Sequence, residues 1–299
     1  MKKKETLVEI ACREIAGFSD VYAKLEQKVL LSSQSRSTFT NYGRKLAQLC
    51  FHFKALPHEV DDDQINEYLA GLAKSAKTPS RSAFKHTVYG LRYYFRFMGI
   101  PKRAISLPVL PREDKLPEVL SKQECKRLFA APDILKHRII LCMIYSAGLR
   151  SGELSRLKIS DVDSGRMMIH IRRAKGCKDR YVPLSKNLLA GLRKYYNLYK
   201  PKEYLFNGNE RETPYSQSGL RWIMRESVKK AGILKPVCVH TLRHSYATHL
   251  LEDGLDIVTI KELMGHDCIE STMVYLHIAR PEKRKAFSPF DTLYGEAKV

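Results

Sequence analysis

Residues 240–254 read HTLRHSYATHLLEDG, and this stretch decides how the chain is read. It predicts a helix over about 241–253, with His240 and Arg243 three residues apart and so on one face. Working outward, LMGH (263–266) sets His266 behind Gly265, and STMVYLH (271–277) carries Tyr275 nine residues further on. Upstream, GLRSGEL (148–154) carries Arg150 just after an apolar helix and a glycine, where helix-start amides would receive a phosphate. RRAKGCKDRYVPL (172–184) carries Lys175. The six side chains Arg150, Lys175, His240, Arg243, His266 and Tyr275 suit attack by a tyrosine on a phosphodiester without metal help. Arginine forks hold the non-bridging oxygens. A lysine or histidine protonates the departing alkoxide, and the phenol forms the covalent intermediate.

The periodicity predicts a mainly α chain in two domains with one small β-hairpin or sheet. In the first hundred residues, Phe39, Tyr42, Leu46, Leu49 and Phe53 recur at helical steps, with Ser37 or Thr38 as candidate N-cap. Further helices are expected at about 20–31 and 61–74, and over a face made by Phe84, Val88, Leu91, Phe95 and Met98. The reading is a four- or five-helix domain over 1–105. A proline-rich extended linker spans 106–117, and a second domain runs over 118–299. That domain opens on S-K-Q-E at 121–124, a capping box. Helices follow at about 121–131, 134–147, 185–200, 215–231, 241–253, 256–264 and 270–278. MMIHIRR and RYVPL form a hairpin with Lys175 near its tip.

The chain of 299 residues carries a formal charge of +20. Residues 1–112 hold 19 Lys and Arg against 10 Asp and Glu, and the remainder 33 against 22, so both halves are basic. This points to a polyanion, nucleic acid above all, held by two domains as a clamp. Base readout is expected from helix residues around 81–96 or 215–229. The seven cysteines include no C-x-x-C pair. They imply a reducing cytoplasm, with Cys50 and Cys142 as small core residues. No signal peptide and no membrane span is read; the longest apolar run, around Ile139–Ala147, is too short.

The ordered series GLRSGEL, the hairpin lysine, His240-x-x-Arg243, Gly265-His266 and Tyr275 resembles the tyrosine recombinases, the phage integrase family. The likeness covers residues 120–280 and is strongest to the Xer and integron-integrase type. The N-terminal helices fit the family's core-DNA-binding (SAM-like) clamping domain but carry no comparable motif. The absence of a long insertion between Lys175 and His240 favours a Xer-like or mobile-element enzyme.

The resemblance implies DNA integration, excision or related rearrangement through a 3′-phosphotyrosine. Tyr275 is then the nucleophile, Arg150 and Arg243 hold the scissile phosphate, Lys175 is the general acid for the 5′-oxygen, and His240 and His266 serve in hydrogen bonding and proton transfer. It implies no cofactor, no metal and no ATP. The implied partners are double-stranded DNA with a specific core site, a homotetramer on that DNA, and a second recombinase or accessory protein; no membrane is implied. The tail residues Phe287, Phe290, Leu293 and Tyr294 would dock on a neighbouring protomer or pack on their own domain.

Plainer readings stand beside these. Either arginine taken alone is a surface ion pair, Lys175 a solvated turn residue, each histidine a core or capping residue, and Tyr275 a half-buried aromatic. Glu153 orients Arg150 or is a surface helix residue. His244, His249 and His277 raise a zinc site, which the spacing and the neighbouring arginines disfavour; His244 reads instead as support for its helix. The rival functions are a type IB topoisomerase and a DNA-binding regulator that has lost catalysis.

Overall fold

The computed structural model describes residues 5–31, 36–74, 81–100, 116–172, 179–208 and 212–279. The chain divides into two compact units, Met1–Glu113 and Asp114–Val299.

The described residues of the first unit form five helices: α1 (Leu7–Glu14), α2 (Phe18–Leu31), α3 (Arg36–Phe53), α4 (Asp62–Lys74) and α5 (Arg81–Phe97). The stripes expected from periodicity make its core. Phe39, Leu46 and Leu49 of α3 lie buried with Phe84, Val88, Leu91 and Phe95 of α5. Tyr42, Phe53 and Met98 are half-buried at its margin. Helix α3 starts at Arg36, so Ser37 and Thr38 lie within it and neither is its N-cap. Helix α1 was not foreseen, although its signal is present: Thr6 and Glu9 form a capping box.

The second unit is built round α7 (Leu135–Ser146), which buries Ile139, Ile140, Leu141, Met143 and Ile144. It packs against α9 (Lys186–Tyr199) and α11 (Val239–Glu252). Around these stand α6 (Lys122–Ala130), α8 (Ser151–Arg156), α10 (Gln217–Lys230), α12 (Ile257–Met264) and α13 (Glu270–Met273). The capping box at Ser121 and Glu124 is formed as expected. The short α8 was not expected as a separate helix.

Strands β1 (Val162–Asp163), β2 (Met168–Ile171) and β3 (Arg180–Pro183) make an antiparallel sheet in that order: the expected hairpin of β2 and β3, extended by β1. Two-residue β1 is too short to show a period in the sequence. Alternation along β2 turns Ile169 and Ile171 inward beside Val182. Cys50 is buried as expected, whereas Cys142 is half-buried against the core.

The helix expected over 270–278 is the four-residue α13 followed by a 3-10 turn, Val274–His277. The β-branched Thr272 and Val274 weaken a longer α-helix there. No helix among the described residues is long and apolar enough to cross a membrane.

Candidate active site

The site forms where the start of α8, the face of α11 and the end of α12 meet. Helix α7 ends in a left-handed Gly148, at φ +58°, where a Cβ would stand 2.5 Å from the Tyr246 ring. This tight turn sets Arg150 as the N-cap of α8, with Glu153 in the first turn. The Glu153 carboxylate accepts from the Arg150 backbone N–H at 2.9 Å and from its Nη1 at 2.9 Å.

Helix α12 ends in Gly265, left-handed at φ +59°. The last carbonyls of a helix have no partner within it and carry the negative end of its dipole. Here three arginines from distant elements take three successive ones. Arg180 Nε donates to the Leu263 carbonyl at 2.8 Å, Arg243 Nη2 to that of Met264, and Arg150 Nη2 to that of Gly265 at 2.9 Å. Arg243 Nη1 also donates to the Gly148 carbonyl.

Glu153 is the counter-charge of this cluster. Arg180 grips it with two bonds, Nη1 to Oε1 at 2.9 Å and Nη2 to Oε2 at 2.8 Å, and Arg243 Nη1 lies 3.9 Å away. Burial raises the Glu153 carboxyl, but hydrogen bonding and charge from Arg180, with help from Arg150, outweigh it and hold the group at about 2. Three guanidiniums against one carboxylate leave a positive excess, as an anion site requires. Burial, with Arg150 and Arg180 close by, lowers the pKa of Arg243, which remains a cation at neutral pH.

Gly265 answers to two constraints, its left-handed backbone and the Arg180 side chain, which would lie 3.1 Å from an added Cβ. Gly265→Ala is expected to cost about 1–2 kcal/mol. A thermal melt that does not move would show that the turn relaxes freely.

Tyr275 sits on the 3-10 turn after α13 and is 1% exposed. Its hydroxyl lies 3.0 Å from His244 Nδ1. The His266 ring stacks near-parallel to the Tyr275 ring, at 14° and 6.5 Å between centroids, and its Nδ1 pairs with the Thr272 hydroxyl at 2.9 Å. Burial pushes the phenol up to about 12, and Arg243 and Arg150 pull against it without prevailing. Burial, then Arg243 and Arg150, lower His266 to about 4, and the same causes lower His240.

Arg150, Arg243, His266 and Tyr275 are thus brought together, with His240 on the same helix as Arg243. Lys175 lies outside the described residues, and so does the tail from residue 280. One member was missed: Arg180, which closes the stretch KGCKDR that opens on Lys175. Of the two readings of Glu153, the one that orients Arg150 is formed, and the residue is buried. His244 contacts the phenol and does more than support α11. His249 is buried and bonds Tyr145 Oη at 2.8 Å, and His277 is exposed. Among the described residues no group of three or more His, Cys, Asp or Glu is arranged to hold a metal ion.

Residues 118–282 match the model of the phage integrase family. The tyrosine recombinase XerA of Pyrococcus horikoshii is 32% identical over 96% of this chain and 95% of its own length. The crystal structure of XerA recombinase matches 93% of this chain and 98% of that one, at 28% identity and a TM-score of 0.53. The XerH site-specific recombinase, crystallised with palindromic difH substrate as a post-cleavage complex, shares the fold at a TM-score of 0.68 and 19% identity, over 95% and 94% of the two chains. The chain belongs to the phage integrase family: it is a tyrosine recombinase, an enzyme of site-specific DNA recombination.

Proposed function

We propose that Tyr275 attacks the scissile phosphate in line, while Arg150 and Arg243 take the charge on the non-bridging oxygens. Each guanidinium has more N–H donors than its bonds to protein use. Arg180 is committed to Glu153 and Leu263 and serves to position the others. His240 and His266 add hydrogen bonds to the phosphate, and Lys175 protonates the 5′-oxygen. A 3′-phosphotyrosine and a free 5′-hydroxyl result, and a 5′-hydroxyl from a partner duplex reverses the step. Positioning and charge do the work of a metal, and bond energy is kept in the protein–DNA link. The carrying observation is the arginine cluster with excess positive charge beside a tyrosine.

The enzyme then works in the cytoplasm on a specific double-stranded core site, with the helical unit 1–105 clamping the duplex.

Covalent capture tests this reading. Purified protein meets nicked genomic fragments from around its own gene, in EDTA. A DNA-linked peptide containing Tyr275 is expected, at a yield that magnesium does not change. Loss of the adduct in EDTA with recovery in magnesium would refute the metal-free step.

A homotetramer is the proposed working form. The second unit has a groove of about 460 Å³ whose apolar lining includes Phe129, Ile139, Cys142, Tyr145, Leu188 and Tyr246. Its proposed occupant is the apolar set Phe287, Phe290, Leu293 and Tyr294 of a neighbouring protomer. Deleting 286–299 should then impair synapsis of two duplexes more than binding to one. Equal loss of both would argue for packing on the same protomer.

A further inference from the structure

We infer that His244 holds the Tyr275 phenol by accepting its hydrogen bond, and receives its proton as the oxygen attacks phosphorus. This rests on Tyr275 being the nucleophile. Among the described histidines, His244 is the one with a ring nitrogen at hydrogen-bond distance from that hydroxyl, 3.0 Å at Nδ1. Its ring is tilted 52° to the phenol, with centroids 5.8 Å apart. His266 lies instead face to face with the Tyr275 ring, and its Nδ1 is engaged by Thr272.

His244 directly follows Arg243 on α11, so the helix that carries an arginine to the phosphate carries this imidazole to the nucleophile. His240 packs edge-on against it, at 88° and 4.6 Å, and is exposed.

The direction of the hydrogen bond follows from the charges that surround it. His244 faces His240 and Arg243 on its own helix and Tyr275 on the 3-10 turn. Burial, His240 and Arg243 together bring it down to about 4, so it is neutral at pH 7. The phenol, held up at about 12, keeps its proton. A protonated phenol beside a neutral imidazole donates, and Nδ1 accepts.

In the reaction the Oη–H bond breaks, the proton goes to Nδ1, Oη–P forms, and P–O5′ breaks with its oxygen protonated by the general acid. An arriving phosphate offsets the positive charge that weakens His244 as a base, so its basicity rises when the substrate is bound.

Two measurements on the full chain test this. Nitrogen-15 NMR of the free protein should find the His244 tautomer with the hydrogen on Nε2 and Nδ1 bare; hydrogen on Nδ1 would overturn the assignment. Single-turnover adduct formation, on the fragment captured by wild type, should fall about 100-fold or more in His244→Ala and His244→Asn. The remaining rate should climb about tenfold per pH unit, because hydroxide then removes the proton, and added imidazole should rescue His244→Ala. Duplex affinity should hold.

An unchanged or faster rate would mean that the contact is only a resting one, and a slow rate indifferent to pH and imidazole would mean a structural role. Either result sinks the inference. Absence of any wild-type adduct at Tyr275 would instead refute the functional reading itself, and this inference with it.

Discussion

Tyr275→Phe is expected to form no covalent DNA adduct while binding the same duplex with unchanged affinity. The substitution removes one oxygen. The ring keeps its stacking on His266 and its place among Tyr246, Ala247, Ile260 and Met264. What is lost in the fold is one hydrogen bond, and His244 Nδ1 is left without its partner; the cost is about 1–2 kcal/mol. The cost to chemistry is total, because covalent catalysis has no substitute for the attacking atom. A denaturing gel reads the adduct, a native gel the binding, and a melt the fold. The chain has 16 tyrosines, so an adduct that survives and maps to another one would overturn the assignment. Loss of binding together with the adduct would show that the hydroxyl supports the site and does not attack.

Glu153→Gln is expected to destabilise the second unit by about 3 kcal/mol at neutral pH. Glutamine matches the shape but leaves Arg150, Arg180 and the fully buried Arg243 without a counter-charge, and removing one partner of a buried ion cluster typically costs about 3–5 kcal/mol. The pH dependence gives the same size by another route. Glu153 stands at about 2 in the fold, against about 4.3 in an unfolded chain, a difference worth about 3 kcal/mol. The pKa is depressed by folding, so this stability is fully present above about pH 4.3 and is lost as pH falls toward 2. Urea midpoints of wild type should fall through that window, and those of Glu153→Gln should lack that part of the fall. Equal midpoints at pH 7 would mean that the arginines find other acceptors. Adduct formation should also fall, since Arg150 loses the carboxylate that orients it.

Much of the helical framework was legible because burial imposes a period on the residues themselves. The stripe Phe84, Val88, Leu91 and Phe95 and the capping box at Ser121 needed no tertiary information. Elements too short to repeat escaped: α8, β1 and the break of 270–278 into a short α-helix and a 3-10 turn. Helix α1, eight residues long, is legible only at its capping box of Thr6 and Glu9.

The sequence alone determined the class of chemistry. Residue type sets what a side chain is able to do, and local spacing sets which neighbours share a helix face. His240 with Arg243, Gly265 with His266 and the position of Tyr275 fall under that rule. Only the tertiary structure decided where the charges go. The three arginines meet the end of α12 across gaps of 115, 83 and 21 residues, and the phenol meets His244 across 31. Such contacts have no sequence period, because they arise from helices packing against one another and from the need of each buried carbonyl and charge for a partner.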